Sequence, residues 1–125
     1  MIRGVANALI ESTMLGFEDH GCMVLFLHLK YAGAGQGFGG YGLDEPIHDA
    51  NGNFLHRQGH AFGMELIKRI LETVGVDSWE KLPGKYVRAD HEDSKVHRIG
   101  HIIEDRWLDV QELADQFSPK GGRQP

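Results

Sequence analysis

Segment 32–43 is the most glycine-rich part of this sequence, and Gly35, Gly37 and Gly40 within it match a G-x-G-x-x-G motif. In dinucleotide-binding folds this motif lies between a strand and a helix whose N-terminal amides hold a pyrophosphate. Here the long helical pattern starts about twenty residues later, so the context of that motif is missing. We therefore interpret the segment as a glycine-rich strand.

Glycine weakens the interior of a strand, and close approach by a ligand or by another backbone is an ordinary reason for its presence. Two interpretations stay open for this strand. Either its glycines permit tight packing between strands, or they form a platform on which a planar or phosphorylated ligand lies close to the backbone. Gly39 and Gly40 lie at the centre of such a platform.

An amphipathic pattern predicts a helix over Ala61–Val74, and Gly75 supplies its left-handed stop. The free N–H groups and the positive dipole end of a helix start suit an anion. Gly59 and Gly63 would leave this start unobstructed. The alternative is an ordinary helix start without a ligand.

Basic side chains are frequent in the second half of the sequence. They are Arg57, Lys85, Arg88, Lys95, Arg98 and Arg106. Arg88 and Arg98 fall on strands that we expect to pair, so both could face one patch and grip a phosphate in bidentate fashion. The alternative is that these residues form solvated salt bridges with nearby acidic residues.

Eight histidines raise the hypothesis of a metal site. His97 and His101 are four residues apart on a predicted strand, and His56 and His60 repeat that spacing in a loop. There is no H-E-x-x-H motif and no pair of cysteines, so surface histidines are the competing interpretation. Cys22 begins an apolar strand and is expected to be buried packing. The sequence predicts no catalytic residue, no metal ligand and no cofactor.

Period-2 patterns predict strands in the first half of the chain. Ala6 to Leu15 and Met23 to Tyr31 form an expected hairpin, and the glycine-rich strand follows, with Phe38 and Tyr41 on opposite sides. Segment 44–58 is expected to be a loop that could turn as a short β-ribbon at Asn51-Gly52.

The second half of the chain predicts a further hairpin and a short helix. Asp77 and Glu80 resemble a capping box that opens a single turn. Segments 85–90 and 95–103 read as two paired strands, and Asp109 caps a helix that ends at Phe117. The resulting order, βββ-α-ββ-α, predicts an α+β fold: an antiparallel sheet of about five strands packed on one main helix, with a short C-terminal helix. Residues 1–117 are expected to form a single domain and 118–125 a flexible tail.

Composition narrows the functional classes. The chain has 125 residues, a formal net charge of −5 and one cysteine. A net acidic domain disfavours binding to nucleic acid, and the single cysteine favours a reducing compartment. The chain has no apolar run of the roughly 20 residues that cross a bilayer, and no signal peptide. We therefore expect a cytoplasmic protein that acts without nucleic acid or membrane.

Three blocks of the sequence carry a resemblance to known proteins. They are segment 35–44 (GQGFGGYGLD), the helical segment from Gly63 to Glu80, and Val96-His97-Arg98-Ile99-Gly100-His101 running to Trp107. Together they resemble small proteins of tailed phages and prophages, of the type that blocks Thoeris defence by acting as a nucleotide sponge. The resemblance covers most of residues 6 to 110.

This resemblance implies a homo-oligomer in the host cytoplasm that sequesters cyclic ADP-ribose-type signals without cleaving them. Stacking on adenine and arginine contacts to the pyrophosphate would be the physical basis. By residue type, Phe38 or Tyr41 would stack, and Arg57, Arg88 or Arg98 would hold phosphate.

The sequence thus predicts a binding protein for a small anionic nucleotide, with ligand contacts in the glycine-rich strand, at the helix start and on the arginines. Two alternatives remain. The chain could be a phage accessory or inhibitor protein that acts through protein–protein contact, with the glycine-rich strand as the pairing edge. It could also be a small metal-dependent enzyme that uses the histidines.

Overall fold

The fold is known from a computed structural model, which describes residues 3–18, 20–92 and 95–117. The strands are β1 (Arg3–Phe17), β2 (Met23–Tyr31), β3 (Ala34–Gly42), β4 (Asp44–His48), β5 (Phe54–Gly59), β6 (Tyr86–Glu92), β7 (Lys95–His101) and β8 (Trp107–Asp109). The helices are α1 (Ala61–Val74) and α2 (Val110–Phe117), and a single 3-10 turn spans Trp79–Lys81. The predicted flexible tail, 118–125, lies outside the described residues.

The described strands form two antiparallel sheets. The larger sheet has six strands in the order β3-β2-β1-β6-β7-β8, and β4 pairs with β5 in a separate two-stranded ribbon. The α+β class and both predicted hairpins, β1–β2 and β6–β7, are confirmed. The expected number of about five strands is too low, because Trp107–Asp109 is too short to show a period. Both helices, rather than one main helix, pack against the sheet at β8.

The larger sheet is curled. Strand β3 lies close to β7, although β2, β1 and β6 separate the two in the order of hydrogen-bonded strands. Leu25, Leu27 and Leu29 of β2 are buried inside the curl and belong to the same core cluster as Leu66 and Ile70 of α1. Burial of each such side chain stabilises the fold by about 1.5–3 kcal/mol. The curl therefore brings together two strands that are distant in the sheet.

A β-bulge at Gly39 and Gly40 interrupts the pairing of β3 with β2. Tyr41 lies opposite Leu25, and Gly39 lies opposite Phe26, so Gly40 is the extra residue. Both glycines have positive φ angles, 142° at Gly39 and 80° at Gly40. An ideal Cβ on Gly39 would lie 2.3 Å from the carbonyl oxygen of Leu25. Glycine at this position is therefore required by the close approach of the neighbouring strand.

The bulge corrects one prediction about β3. Simple alternation places Phe38 and Tyr41 on opposite sides of the strand, but the extra residue turns both rings to the core side. Their centroids are 6.0 Å apart in an edge-to-face arrangement. Phe38 is buried, and Tyr41 packs against the core while remaining partly exposed.

The predicted helix Ala61–Val74 is confirmed, and Gly75 ends it in the left-handed conformation with a φ of 92°. The predicted ribbon at Asn51-Gly52 is also confirmed. The carboxylate of Asp49 accepts hydrogen bonds from the backbone N–H groups of Asn51 and Asn53, at 2.9 Å each.

The capping box proposed at Asp77 and Glu80 is wrong. Ser78 is the residue that precedes the 3-10 turn, and its side chain makes no capping hydrogen bond. The carboxylate of Asp77 instead lies 2.9 Å from the ammonium of Lys81. The cap of α2 is confirmed, because Asp109 Oδ1 accepts the backbone N–H of Glu112 at 3.1 Å.

Candidate functional site

The curl of the sheet leaves a cavity of about 540 Å³ between the end of β3, the start of β7 and helix α2. We call it the β3–β7 cavity. It is lined by Tyr41, Gly42, Phe62, Lys95, His97, Asp109, Val110, Gln111 and Ala114. Its volume falls within the range of small-molecule sites, roughly 300–1,000 Å³.

Two aromatic rings contribute to the wall of the cavity. Tyr41 reaches it because the bulge at Gly39 and Gly40 sets the direction of its side chain. Phe62 lies in the first turn of α1, and its ring meets that of Phe117 edge to face at 6.2 Å. A tyrosine and a phenylalanine at one cavity can both contact a flat ring of a ligand.

The start of β7 contributes two basic side chains, Lys95 and His97. Lys95 is exposed to solvent and lies opposite Glu92 in the strand pairing. His97 Nε2 is 3.1 Å from Glu92 Oε1, which fixes the orientation of the imidazole. The ammonium of Lys95 is the cation of this region, and it lies at the same cavity as the aromatic rings.

Asp109 places a carboxylate in the same cavity, where β8 ends and α2 begins. Burial raises the pKa of the Tyr41 hydroxyl, and the negative charge of Asp109 raises that pKa further. The phenol of Tyr41 therefore stays protonated at neutral pH and is available as a hydrogen-bond donor.

Of the four β3 residues that the sequence predicts to contact a ligand, Tyr41 alone lines the cavity. Phe38 is 1% exposed and belongs to the core, so its ring has no free face for a ligand. Gly39 and Gly40 form the bulge, and Gly39 accommodates the backbone of β2. Tight packing, the first of our two interpretations of the glycine-rich strand, explains Gly39.

Gly63 also has a packing role. An ideal Cβ on Gly63 would lie 2.5 Å from the carbonyl oxygen of Leu43, so glycine lets α1 rest directly on that backbone. The N–H of Gly63 donates to His60 Nδ1 at 3.0 Å, and His60 is the N-cap of the helix. This N–H is therefore not free for the anion that we expected at the helix start.

Arg57 is held by Asp44 across the β4–β5 ribbon. Its Nε and Nη2 donate to Asp44 Oδ1 at 3.1 and 2.9 Å, and Nη2 also donates to the Asp44 carbonyl at 3.3 Å. The hydrogen bond from Arg57 is the main cause that lowers the pKa of Asp44, and a backbone hydrogen bond from Met23 adds to it. Arg57 thus connects the two strands of the ribbon.

The Asp44–Arg57 contact predicts a pH dependence of stability. Because the pKa of Asp44 is lower in the folded chain, its contribution is present above the unfolded carboxyl pKa of about 4 and is lost as pH falls through the folded value. Substitution Asp44→Asn should flatten the acid limb of the free energy of unfolding, measured by urea denaturation from pH 7 to pH 3.

Asp77 offers a matched control for this experiment. Lys81 lowers the pKa of Asp77 as well, but the Asp77 side chain is 79% exposed and that of Asp44 only 9%. Solvent screens the exposed pair, so Asp77→Asn should change the acid limb less. Acid limbs of equal slope in Asp44→Asn and the unmodified chain would contradict the role of Asp44.

The side chains of Arg88 and Arg98 share one patch, as the sequence predicts, but both contact the ring of Trp107. Their guanidinium carbons are 4.6 and 4.3 Å from the ring centroid of Trp107. Arg88 donates to the carbonyls of His101 and Glu104, at 2.7 Å each. The Nε of Arg98 donates to the buried Asp90 at 2.7 Å. These contacts give both arginines a structural role in joining β6, β7 and the turn before β8.

The histidines are spread over separate local contacts. His101 Nδ1 accepts the backbone N–H groups of Ile103 and Glu104, at 3.1 and 2.8 Å, and thereby shapes the turn before β8. His97 pairs with Glu92 and His60 caps α1. Among the described residues, no group of three or more histidine, cysteine, aspartate or glutamate side chains is arranged to hold a metal ion.

Apart from Tyr41, the sequence assigns no ligand contact to the residues that line the cavity. Lys95 belongs to the basic residues without an individual role, His97 to the candidate metal ligands, and Asp109 to the helix caps. A pattern along the chain carries no signal for their proximity to Tyr41, because it depends on the curl of the sheet.

Comparison with known proteins adds no relative: no protein-family model matches this chain, and no curated protein matches its sequence. Within residues 3–18, 20–92 and 95–117, no helix has the length and apolar character needed to cross a membrane.

Proposed function

We propose that this chain binds a small anionic ligand with a planar ring, of the nucleotide class, in the β3–β7 cavity, and holds it without converting it. One observation carries the proposal: Tyr41 and Phe62 line the same cavity as the ammonium of Lys95. Rings for stacking and cations for a phosphate are the two elements that nucleotide recognition needs.

The distribution of the other cations supports this location. Arg57, Arg88 and Arg98 are each engaged with groups of the chain itself. Recruiting one of them for a phosphate would break a contact that stabilises the fold. The chain carries a net charge of −5, so an anionic ligand needs local cations to offset the overall repulsion. Binding should therefore weaken as salt rises.

The resemblance to phage nucleotide sponges gives the proposal its specific form. In that form the ligand is a cyclic ADP-ribose-type signal, the site of action is the host cytoplasm, and sequestration deprives a defence effector of its activator. The implied homo-oligomer remains a prediction. Cyclic ADP-ribose isomers are accordingly the first ligands to test.

Calorimetry with a nucleotide panel tests the proposal. The panel contains cyclic ADP-ribose isomers, ADP-ribose, AMP and cyclic dinucleotides. Lys95→Ala should weaken binding of the tightest member roughly tenfold, because a charge-assisted contact to the ligand is lost. Lys68→Ala is the matched control, since Lys68 is an exposed lysine of α1 that does not line the cavity. Equal affinities of the two variants would contradict the assigned site.

The fate of the ligand separates binding from catalysis. After the titration, the complex is heated and the released ligand is analysed by mass spectrometry. Recovery of the intact ligand supports a sponge, and conversion makes the chain an enzyme. Absence of heat across the whole panel overturns the proposal and favours a protein partner. The observation behind that second candidate is that β3, an edge strand of nine residues, contains no charged residue and no proline to protect its edge.

A further inference from the structure

Asp109 occupies a fixed position in the wall of the β3–β7 cavity. It is the last residue of β8, it lies opposite Arg98 in the strand pairing, and α2 begins at the next residue. Its Oδ1 accepts the backbone N–H of Glu112 at 3.1 Å. The strand pairing and this helix-cap contact together hold the carboxylate in place.

The second carboxylate oxygen is available to a ligand. Within the part of the chain that the structure describes, no group donates a hydrogen bond to Asp109 Oδ2. The residue is partly buried and lines the cavity. A carboxylate is an acceptor only, so a ligand that covers Oδ2 must offer it a hydroxyl or amino donor or leave it without a partner.

Opposite charges in one cavity determine how an anion can be oriented. The phosphate of a nucleotide is attracted to Lys95 and is repelled by Asp109. The end of the ligand that approaches Asp109 must therefore be uncharged and must carry donors. In a nucleotide the ribose hydroxyls have this property, as does the amino group of adenine. We choose the ribose because carboxylates bind ribose hydroxyls in other nucleotide sites.

On the basis of the proposed function, we infer that Asp109 makes the cavity selective for ribonucleotides over deoxyribonucleotides. Its free oxygen accepts a ribose hydroxyl while its other oxygen keeps the cap of α2. Asp109 is thus a specificity residue, distinct from the residues that attract the phosphate.

The test compares AMP with 2′-deoxy-AMP and 3′-deoxy-AMP by calorimetry. The unmodified chain should bind AMP roughly tenfold more tightly than at least one of the deoxy analogues. In Asp109→Asn this ratio should fall, because the amide oxygen keeps the cap and a neutral NH2 group replaces the charged acceptor that faces the ligand. Asparagine is as good an N-cap as aspartate, so the cap of α2 is retained and the fold should be unaffected. Glu112→Gln is the matched control: it removes a negative charge from α2 without altering the cavity wall, and its ratio should equal that of the unmodified chain.

Three results would overturn the inference. Equal binding of AMP and both analogues to the unmodified chain would do so, and would leave the proposed function intact. A ratio that persists in Asp109→Asn would show that another group reads the hydroxyl. Failure of AMP and both analogues to bind would exclude nucleoside monophosphates as ligands, whereas the proposed function is decided separately by the wider panel.

Discussion

Replacement of Gly39 by alanine is expected to destabilise the chain by about 2–6 kcal/mol, because two costs of about 1–3 kcal/mol each act at this residue. The φ of 142° is one that residues with a Cβ rarely adopt. In addition, the new methyl group would lie 2.3 Å from the carbonyl oxygen of Leu25 and 2.8 Å from the Cα of Phe26. Backbone atoms of a central strand cannot move aside as the end of a flexible side chain can.

Urea denaturation followed by circular dichroism measures this effect, and Gly37→Ala is the matched control. Gly37 lies in the same strand with ordinary backbone angles, and its nearest neighbour to an ideal Cβ is the Phe26 ring at 3.9 Å. The control should change the free energy of unfolding by less than about 1 kcal/mol. Similar losses of unfolding free energy in Gly39→Ala and Gly37→Ala would contradict the special role of Gly39 in the bulge.

Phe38→Ala is expected to destabilise the chain by about 3–5 kcal/mol, because it removes a fully buried aromatic side chain and leaves a cavity. Thermal or urea denaturation measures the loss. Tyr41→Ala is the informative partner, since Tyr41 is partly exposed and lines the β3–β7 cavity. Tyr41→Ala should lower the free energy of unfolding less than Phe38→Ala does, and it should weaken ligand binding more. A stable Phe38→Ala variant that no longer binds ligand would restore Phe38 as the stacking residue.

Local signals in the sequence were sufficient for most of the fold. The helix Ala61–Val74 and its stop at Gly75 follow from hydrophobic periodicity and from the need for a left-handed residue. The ribbon at Asn51-Gly52 follows from turn chemistry, and the hairpins follow from alternation. These features depend on residues that are close along the chain.

The site was less predictable, because it depends on contacts between distant segments. The sequence places Arg88 and Arg98 on two strands that pair, but no local pattern indicates that both guanidinium groups lie over the ring of Trp107. A single extra residue, Gly40, reversed the expected side of Tyr41 relative to Phe38. The proximity of Lys95 to Tyr41 arises from the curl of six strands, which no local pattern encodes.

The most direct test is to locate a bound nucleotide by NMR. Backbone amide resonances of the isotope-labelled chain would be followed during titration with AMP and with cyclic ADP-ribose. We predict that the largest shifts occur at Tyr41, Gly42, Lys95 and His97 and at the start of α2, which together surround the β3–β7 cavity. Shifts centred on Arg57 or on the arginines around Trp107, or no shifts with either nucleotide, would contradict the assignment of this cavity as the binding site.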